Sequence, residues 1–175
     1  MKSDITFICN SIDDEHKVVE RFQNSVDFFE ENNICFNMPD KAIEEEYDSE
    51  NYEKFLISTQ KKWEKSGVGF IEKLCEFFNL SDSIVFTVKI SQYGPIGFYD
   101  YKTNCITISR HSHICPVKII KHEMIHIIVE PYVLKYKFDH TQKEYIVETL
   151  GTMFDLIEEK RTGIQTGKTV IIKNI

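Results

Sequence analysis

The apolar residues of the first 80 positions recur mostly at helical spacing. Residues 5–9 form a short apolar run of the length expected for a strand. Residues 13–33 and 52–79 place apolar side chains three and four positions apart, which predicts a helix in the first stretch and one or two helices in the second. Gly67 and Gly69 are expected to interrupt the second stretch. The N-terminal region is therefore predicted to be mainly helical.

The pattern changes to that of β-strands after residue 80. Residues 83–91 and 105–109 are rich in β-branched side chains, and residues 97–101 form a further short run between them. Tyr93, Gly94 and Pro95 mark a turn after the first of these segments. We expect three strands here, arranged as a short antiparallel sheet.

A long apolar helix is predicted to follow the sheet. Pro116 suits the first turn of a helix, where its missing N–H costs nothing. The segment is apolar almost all round as far as Val129, so the helix should be buried. Pro131 is expected to end or kink it, and residues 132–139 are expected to connect it to the next helix, either as a loop or with further helical turns.

The remaining pattern predicts a second helix over residues 141–161 and a last strand over residues 169–172. No repeat, low-complexity stretch or linker divides the chain. We therefore predict a single α+β domain over residues 1–175. Within it, residues 1–80 are expected to be mainly helical, and residues 81–175 are expected to form the sheet and the two long helices.

Composition and charge narrow the classes of partner. Hydrophobic residues make up 42% and charged residues 28% of the chain, which is ordinary for a globular protein. The formal net charge of -7 argues against nucleic acid and against an anionic membrane as the main partner, since both require a basic surface. The five cysteines include no CxxC pair, and the N-terminus has no apolar run typical of a signal peptide, so we expect reduced thiols and a cytoplasmic location.

The segment His122-Glu123-Met124-Ile125-His126 has the pattern HExxH. On a helix, the two histidines lie one turn apart on the same face, which is the geometry that two zinc ligands need. The glutamate between them can take a proton from a water bound to the metal, and the pattern is the signature of zinc metalloproteases. Burying these polar groups in an apolar helix without a purpose would be costly. The segment therefore predicts a zinc (Zn²⁺) site with Glu123 as the catalytic base.

A catalytic zinc ion needs a third protein ligand and an open position. The metzincin continuation requires glycine at position 129 and histidine at position 132, where this chain has Val129 and Tyr132. That class is therefore excluded. The candidates for the third ligand are His140, Glu144 and Glu148, spaced four residues apart.

The two helices resemble those of the thermolysin-like gluzincins. The resemblance covers about residues 116–158 and rests on HExxH together with Glu144, Glu148 and the following Gly151-Thr152. It implies a zincin-like fold, Glu144 as the third metal ligand, and Glu148 as the acceptor of a hydrogen bond from a ligand histidine. The family's downstream histidine, which stabilises the oxyanion, has no counterpart here. Its substitutes would come from a group of nearby side chains: Tyr132, Tyr136, His140 and Tyr145.

The residues themselves leave an alternative for Glu144. Thr141 and Glu144 have the spacing of a capping box, in which Glu144 would bond the backbone N–H of Thr141 instead of a metal. In that case Glu148 would be the better candidate ligand. His111 and His113, just before the motif helix, either line the cleft or lie in a surface loop.

These observations predict a zinc-dependent metallopeptidase that hydrolyses peptide bonds in a peptide or protein substrate. The strand over residues 106–109 is expected to hold an extended peptide by β-addition. Two alternatives stay open: a zinc-stabilised binding or regulatory domain without catalysis, and a metal-free protein in which the motif is coincidental. The negative charge favours basic or neutral peptides as substrates.

Overall fold

The computed structural model describes residues 4–31, 33–80 and 84–154, and it contains both helices and strands. The strands are β1 (Asp4–Cys9), β2 (Phe36–Asn37), β3 (Val85–Ser91), β4 (Gly94–Pro95), β5 (Gly97–Asp100) and β6 (Cys105–Ser109). The helices are α1 (Ile12–Phe22), α2 (Val26–Glu31), α3 (Ile43–Glu46), α4 (Ser49–Ser66), α5 (Phe70–Phe77), α6 (Pro116–Tyr136) and α7 (His140–Met153). None of the helices in these ranges has both the length and the apolar character that crossing a membrane requires.

The main sheet has four strands in the order β1-β3-β6-β5. β1 pairs with β3 and β3 with β6 in parallel, and only the β5–β6 pair is antiparallel. The prediction of an antiparallel sheet is therefore wrong for β3. The residues after β3 carry the chain past β6 to the outer edge, where a short turn brings it back as β6. The antiparallel β5–β6 hairpin agrees with the prediction from the sequence, whereas the path of the chain around β6 was not predicted.

Alternation along β3 and β6 gives the sheet two different faces. Phe86, Val88 and Ile90 point into the main core, where they meet buried residues of α4, α5, α6 and α7. A strand sends successive side chains to opposite faces, and on the second face Lys89 Nζ lies 3.6 Å from Asp14 Oδ1 of α1. Helix α1 covers only part of this face, because Val85 and Ile8 are exposed there.

The break between α4 and α5 confirms the prediction from the two glycines. Gly67 ends α4, and a Cβ atom there would lie 2.2 Å from the Trp63 ring, so only glycine leaves room for that buried indole. Gly69 begins α5 with a φ of 83°, a left-handed conformation that glycine adopts readily. The first predicted helix is likewise divided, because a 3₁₀ turn at Gln23–Ser25 separates α1 from α2.

Helix α6 extends beyond Val129, in agreement with the alternative of further helical turns after Pro131, and α7 begins at His140, one residue before the predicted start. α6 continues through Pro131 to Tyr136, although proline cannot donate the helical hydrogen bond at its position. Val133, in the turn after the proline, is buried in the core, and this packing offsets the lost bond. α7 is described as far as Met153, so the remainder of the predicted helix and the strand predicted over residues 169–172 lie outside the described residues.

A buried carboxylate ties α1 to the rest of the domain. Glu15 is 0% exposed. It accepts hydrogen bonds from the Tyr52 hydroxyl at 2.8 Å, the Ser91 hydroxyl at 2.8 Å and the Gln92 backbone N–H at 3.1 Å. These donors lie on α4, at the end of β3 and in the residue after it. Three donors satisfy a charge that would otherwise be costly to bury.

Candidate metal centre

The two histidines of HExxH converge on one point of the α6 surface. Their Nε2 atoms are 3.0 Å apart, and the rings meet edge to face. His126 is only 4% exposed, whereas the side chain of His122 is 38% exposed. The site is therefore accessible to solvent on the His122 side, whereas the ring of His126 is enclosed by the protein.

Glu144 reaches the same point from α7. Its Oε2 atom lies 3.6 Å from His126 Nε2 and 3.9 Å from His122 Nε2. Two ligands of a tetrahedral zinc ion at ~2.0–2.1 Å are about 3.4 Å apart, so these three spacings suit a shared zinc ion. Two imidazoles and a carboxylate are also ligand types that zinc accepts. The residues present fit the group that the motif implies.

The capping interpretation of Glu144 is wrong. The N-cap of α7 is Asp139, whose side chain accepts from the Gln142 backbone N–H at 2.8 Å. Gln142 bonds back to the Asp139 backbone N–H at 3.0 Å, so the capping box lies two residues earlier than Thr141. Burial acts to raise the pKa of Glu144, but the neighbouring histidines, above all His126, hold this pKa below its ordinary value. Glu144 thus stays a carboxylate beside the imidazoles.

Glu123 lies beside the histidines and against β5. It is 7% exposed, and burial, followed by the charge of Glu144, raises its pKa to about 8. Gly97 of β5 provides the space for it, since a Cβ atom there would lie 2.8 Å from Glu123 Oε1 and 2.5 Å from Ile119 Cγ2. This pKa belongs to the metal-free site; a zinc ion bound beside Glu123 would favour its carboxylate form, which is the form that accepts a proton.

The structure separates Glu148 from the three converging side chains. Glu148 lies one turn further along α7 and is exposed, and its predicted hydrogen bond to a ligand histidine stays a prediction. The buried Nδ1 atom of His126 has no hydrogen-bond partner in the described part of the chain. The polar contacts of the His126 ring in the described residues are therefore those of its Nε2 atom, and the rest of the ring is held by packing.

The predicted substitutes for the missing oxyanion histidine lie at different places. His140 Nδ1 is 3.8 Å from Glu144 Oε1, at the edge of the site. Tyr132 packs against Phe78, and Tyr136 is exposed and packs against Phe138. Tyr145 is half-buried and directly follows Glu144 on α7. His140 is the candidate whose ring lies beside Glu144.

Tyr99 contacts His126 and is held by Glu130 and Lys143, and the sequence predicted no role for these three residues. The Tyr99 ring stacks on His126 with centroids 5.1 Å apart and planes 13° apart. Its hydroxyl donates to Glu130 Oε2 at 2.6 Å and accepts from Lys143 Nζ at 3.2 Å. The alternation of β5 was the available signal, because Gly97 and Tyr99 occupy successive positions on the face toward α6.

Comparisons with protein-family models, curated proteins and solved structures found no match to this chain. The resemblance to thermolysin-like gluzincins over residues 116–158 therefore stays a prediction. The structure adds that His122, His126 and Glu144 lie close enough together to hold a metal ion.

Proposed function

We propose that this protein is a zinc-dependent metallopeptidase. The observation that carries the proposal is the convergence of three donor side chains of the right chemistry, His122, His126 and Glu144, whose ligand atoms all lie within 4.8 Å of one another. These residues come from two different helices, and a buried glutamate of unusual pKa lies beside them. Perturbed titratable groups of this kind concentrate at functional sites.

The roles follow from the chemistry of each group. A zinc ion bound here would polarise a substrate carbonyl and lower the pKa of water. Glu123 accepts the proton of the attacking water and returns it to the leaving amine, as a general base and then a general acid. The side chain of Glu123 packs closely against Gly97 of β5, and this packing restricts the directions in which the carboxyl group can point.

An extended peptide would bind along β5. The sequence favoured residues 106–109 for this role, but β6 lies between β3 and β5, so both of its edges are already paired. β5 is the outer strand of the described sheet, and its second edge is available for main-chain hydrogen bonds. It also carries Gly97 and Tyr99, which face Glu123 and His126, so a peptide on this edge would run beside the site.

The test combines metal analysis with a peptide-cleavage assay. The purified chain should contain one zinc ion and should cleave members of a broad peptide library, detected by mass spectrometry, until a chelator removes the metal. Glu123→Gln should keep the zinc and lose at least about 100-fold in rate, which lies within the range of a general base. Glu20→Gln, an exposed site on α1, is the matched control and should retain activity. Equal rates for Glu123→Gln and the wild type would rule out the role of the base.

Ligand variants test the site itself. Glu144→Gln should reduce zinc affinity strongly, whereas Glu148→Gln should have a smaller effect, because Glu148 is not among the converging side chains. The reverse order would make Glu148 the ligand. A wild-type protein that binds zinc tightly but cleaves no peptide in the library would instead support a zinc-stabilised binding domain.

A further inference from the structure

The surroundings of His126 differ from those of a histidine held by hydrogen bonds. Metal-binding histidines usually donate their second ring nitrogen to a carboxylate or carbonyl, which fixes the tautomer and the direction of the ring. Here His126 Nδ1 is buried and has no hydrogen-bond partner among the residues that the structure describes. The ring is nevertheless enclosed, with Nε2 directed at His122 and Glu144. These contacts act on the Nε2 end of the ring, so the plane of the ring on the Nδ1 side depends on its packing.

Tyr99 supplies the most direct contact with the ring. The two rings are nearly parallel, 13° apart, with centroids at 5.1 Å. Stacked aromatic pairs are favourable beyond the area they bury, and a parallel neighbour restricts rotation of the imidazole about its last torsion. Because Tyr99 belongs to β5, the sheet rather than α6 determines the plane of the His126 ring.

The Tyr99 ring is itself held at its far end. Its hydroxyl donates to Glu130 Oε2 at 2.6 Å and accepts from Lys143 Nζ at 3.2 Å. Glu130 lies one turn after His126 on α6, and Lys143 directly precedes Glu144 on α7. The hydroxyl thus joins the three elements that form the site: β5, α6 and α7. With its proton directed at Glu130, it is not available to bind a substrate oxygen.

We propose that Tyr99 is the positioning residue for His126, and that its stacked ring, held by Glu130 and Lys143, replaces the hydrogen bond that His126 Nδ1 lacks. This inference rests on the metal site of the proposed function, but not on peptide hydrolysis. Tyr99 acts through His126, so its removal should weaken metal binding even where catalysis is not measured.

The first test is zinc affinity, measured by competition with a chromophoric chelator. Tyr99→Leu removes the ring and should weaken zinc binding by about tenfold or more, the range seen when outer partners of metal ligands are removed. Tyr99→Phe keeps the stack and should stay within about threefold of the wild type, since it loses only the hydroxyl contacts. Tyr101→Leu is the matched control, because Tyr101 also packs on the core but follows β5. Its zinc affinity should be unchanged.

Cobalt(II) in place of zinc gives a spectroscopic readout of the same site. The visible d–d bands should move in Tyr99→Leu and stay in place in Tyr101→Leu, because only the first change frees the His126 ring. Equal affinity and equal spectra for Tyr99→Leu and the wild type would overturn the proposal. Equal losses in the two leucine variants would also overturn it, since they would indicate general loosening of the core.

Nuclear magnetic resonance of the wild-type protein covers the case in which Tyr99→Leu does not fold. The ring protons of His126 should be shifted upfield by the face of Tyr99, and shifts typical of a mobile imidazole would refute the stacking. The results also separate the two proposals. Zinc binding that depends on Tyr99, without peptide cleavage, would refute the peptidase and support the positioning role. Peptide cleavage that Tyr99→Leu leaves unaffected would support the peptidase and refute the positioning role.

Discussion

Replacing Gly97 with alanine tests the contact between β5 and the catalytic base. The added Cβ atom would lie 2.5 Å from Ile119 Cγ2 and 2.8 Å from Glu123 Oε1, whereas carbon atoms pack best at about 3.5–4.0 Å. Relief of both contacts requires a shift of up to about 1 Å, either of the Ile119 and Glu123 side chains or of β5 against α6. Overpacking of this kind costs about 1–3 kcal/mol of stability, and a 1 Å misplacement of a catalytic group can reduce the rate about 100-fold.

The assay compares Gly97→Ala with the wild type in three measurements: zinc content, urea unfolding and peptide cleavage. Zinc content should be unchanged, because the atoms nearest to the new methyl group belong to Ile119 and Glu123 and not to a metal ligand. The rate should fall far more than the loss of stability explains. Ile119→Ala is the matched second change, since it removes one of the two contacts. Ile119→Ala alone should be destabilising because Ile119 is buried, but the double variant should lose less stability than the two single losses added together, since the clash with Ile119 is gone. The rate should stay low, because the contact with Glu123 persists. A Gly97→Ala protein of wild-type rate and stability would refute the packing of Glu123 against β5.

Two further predictions concern stability. Glu15→Ala removes the acceptor of the buried Tyr52 hydroxyl and Gln92 backbone N–H, whereas the Ser91 hydroxyl can still donate to the Tyr93 carbonyl at 3.0 Å. The change should cost about 2 kcal/mol or more in urea unfolding. The exposed control Glu20→Ala should cost little, and similar losses in the two variants would contradict the role of the buried network. In the metal-free protein, burial and then the charge of Glu144 raise the pKa of Glu123 to about 8. The folded state therefore favours the protonated carboxyl group. The stability that this group contributes is present at low pH and is lost as the pH rises from about 4.5 to about 8. The glutamine in Glu123→Gln cannot ionise, so the stability of this variant relative to the wild type should rise by about 3–4 kcal/mol between pH 5 and pH 8. A difference in stability that stays constant with pH would show that the pKa of Glu123 is not raised by folding.

Local patterns were enough to predict most of the elements. The strand at residues 5–9, the break between α4 and α5 at its two glycines, and the hairpin before α6 follow from side-chain size and backbone freedom within a few residues. The end of α6 stayed open between two alternatives, because Pro131 is compatible locally with a stop or a kink. The burial of Val133 favours the continued helix, and burial depends on segments far away in sequence.

The path of the chain through the sheet required tertiary structure. The residues of β3 and β6 are compatible with either direction of pairing, since both strands alternate in the same way. Their parallel arrangement results from β5 lying outside β6. The same arrangement moves the available edge from residues 106–109 to β5, and with it the strand on which we propose that a substrate binds.

Some contacts of the candidate site follow from the sequence, and others depend on the tertiary structure. The spacing of His122, Glu123 and His126 is a property of one helix, so the sequence alone determined that these side chains lie on neighbouring turns. The meeting of Glu144 with both histidines, the space that Gly97 leaves for Glu123, and the stacking of Tyr99 on His126 join residues of different elements. Only packing between β5, α6 and α7 decides such contacts, because each element is compatible by itself with many relative positions.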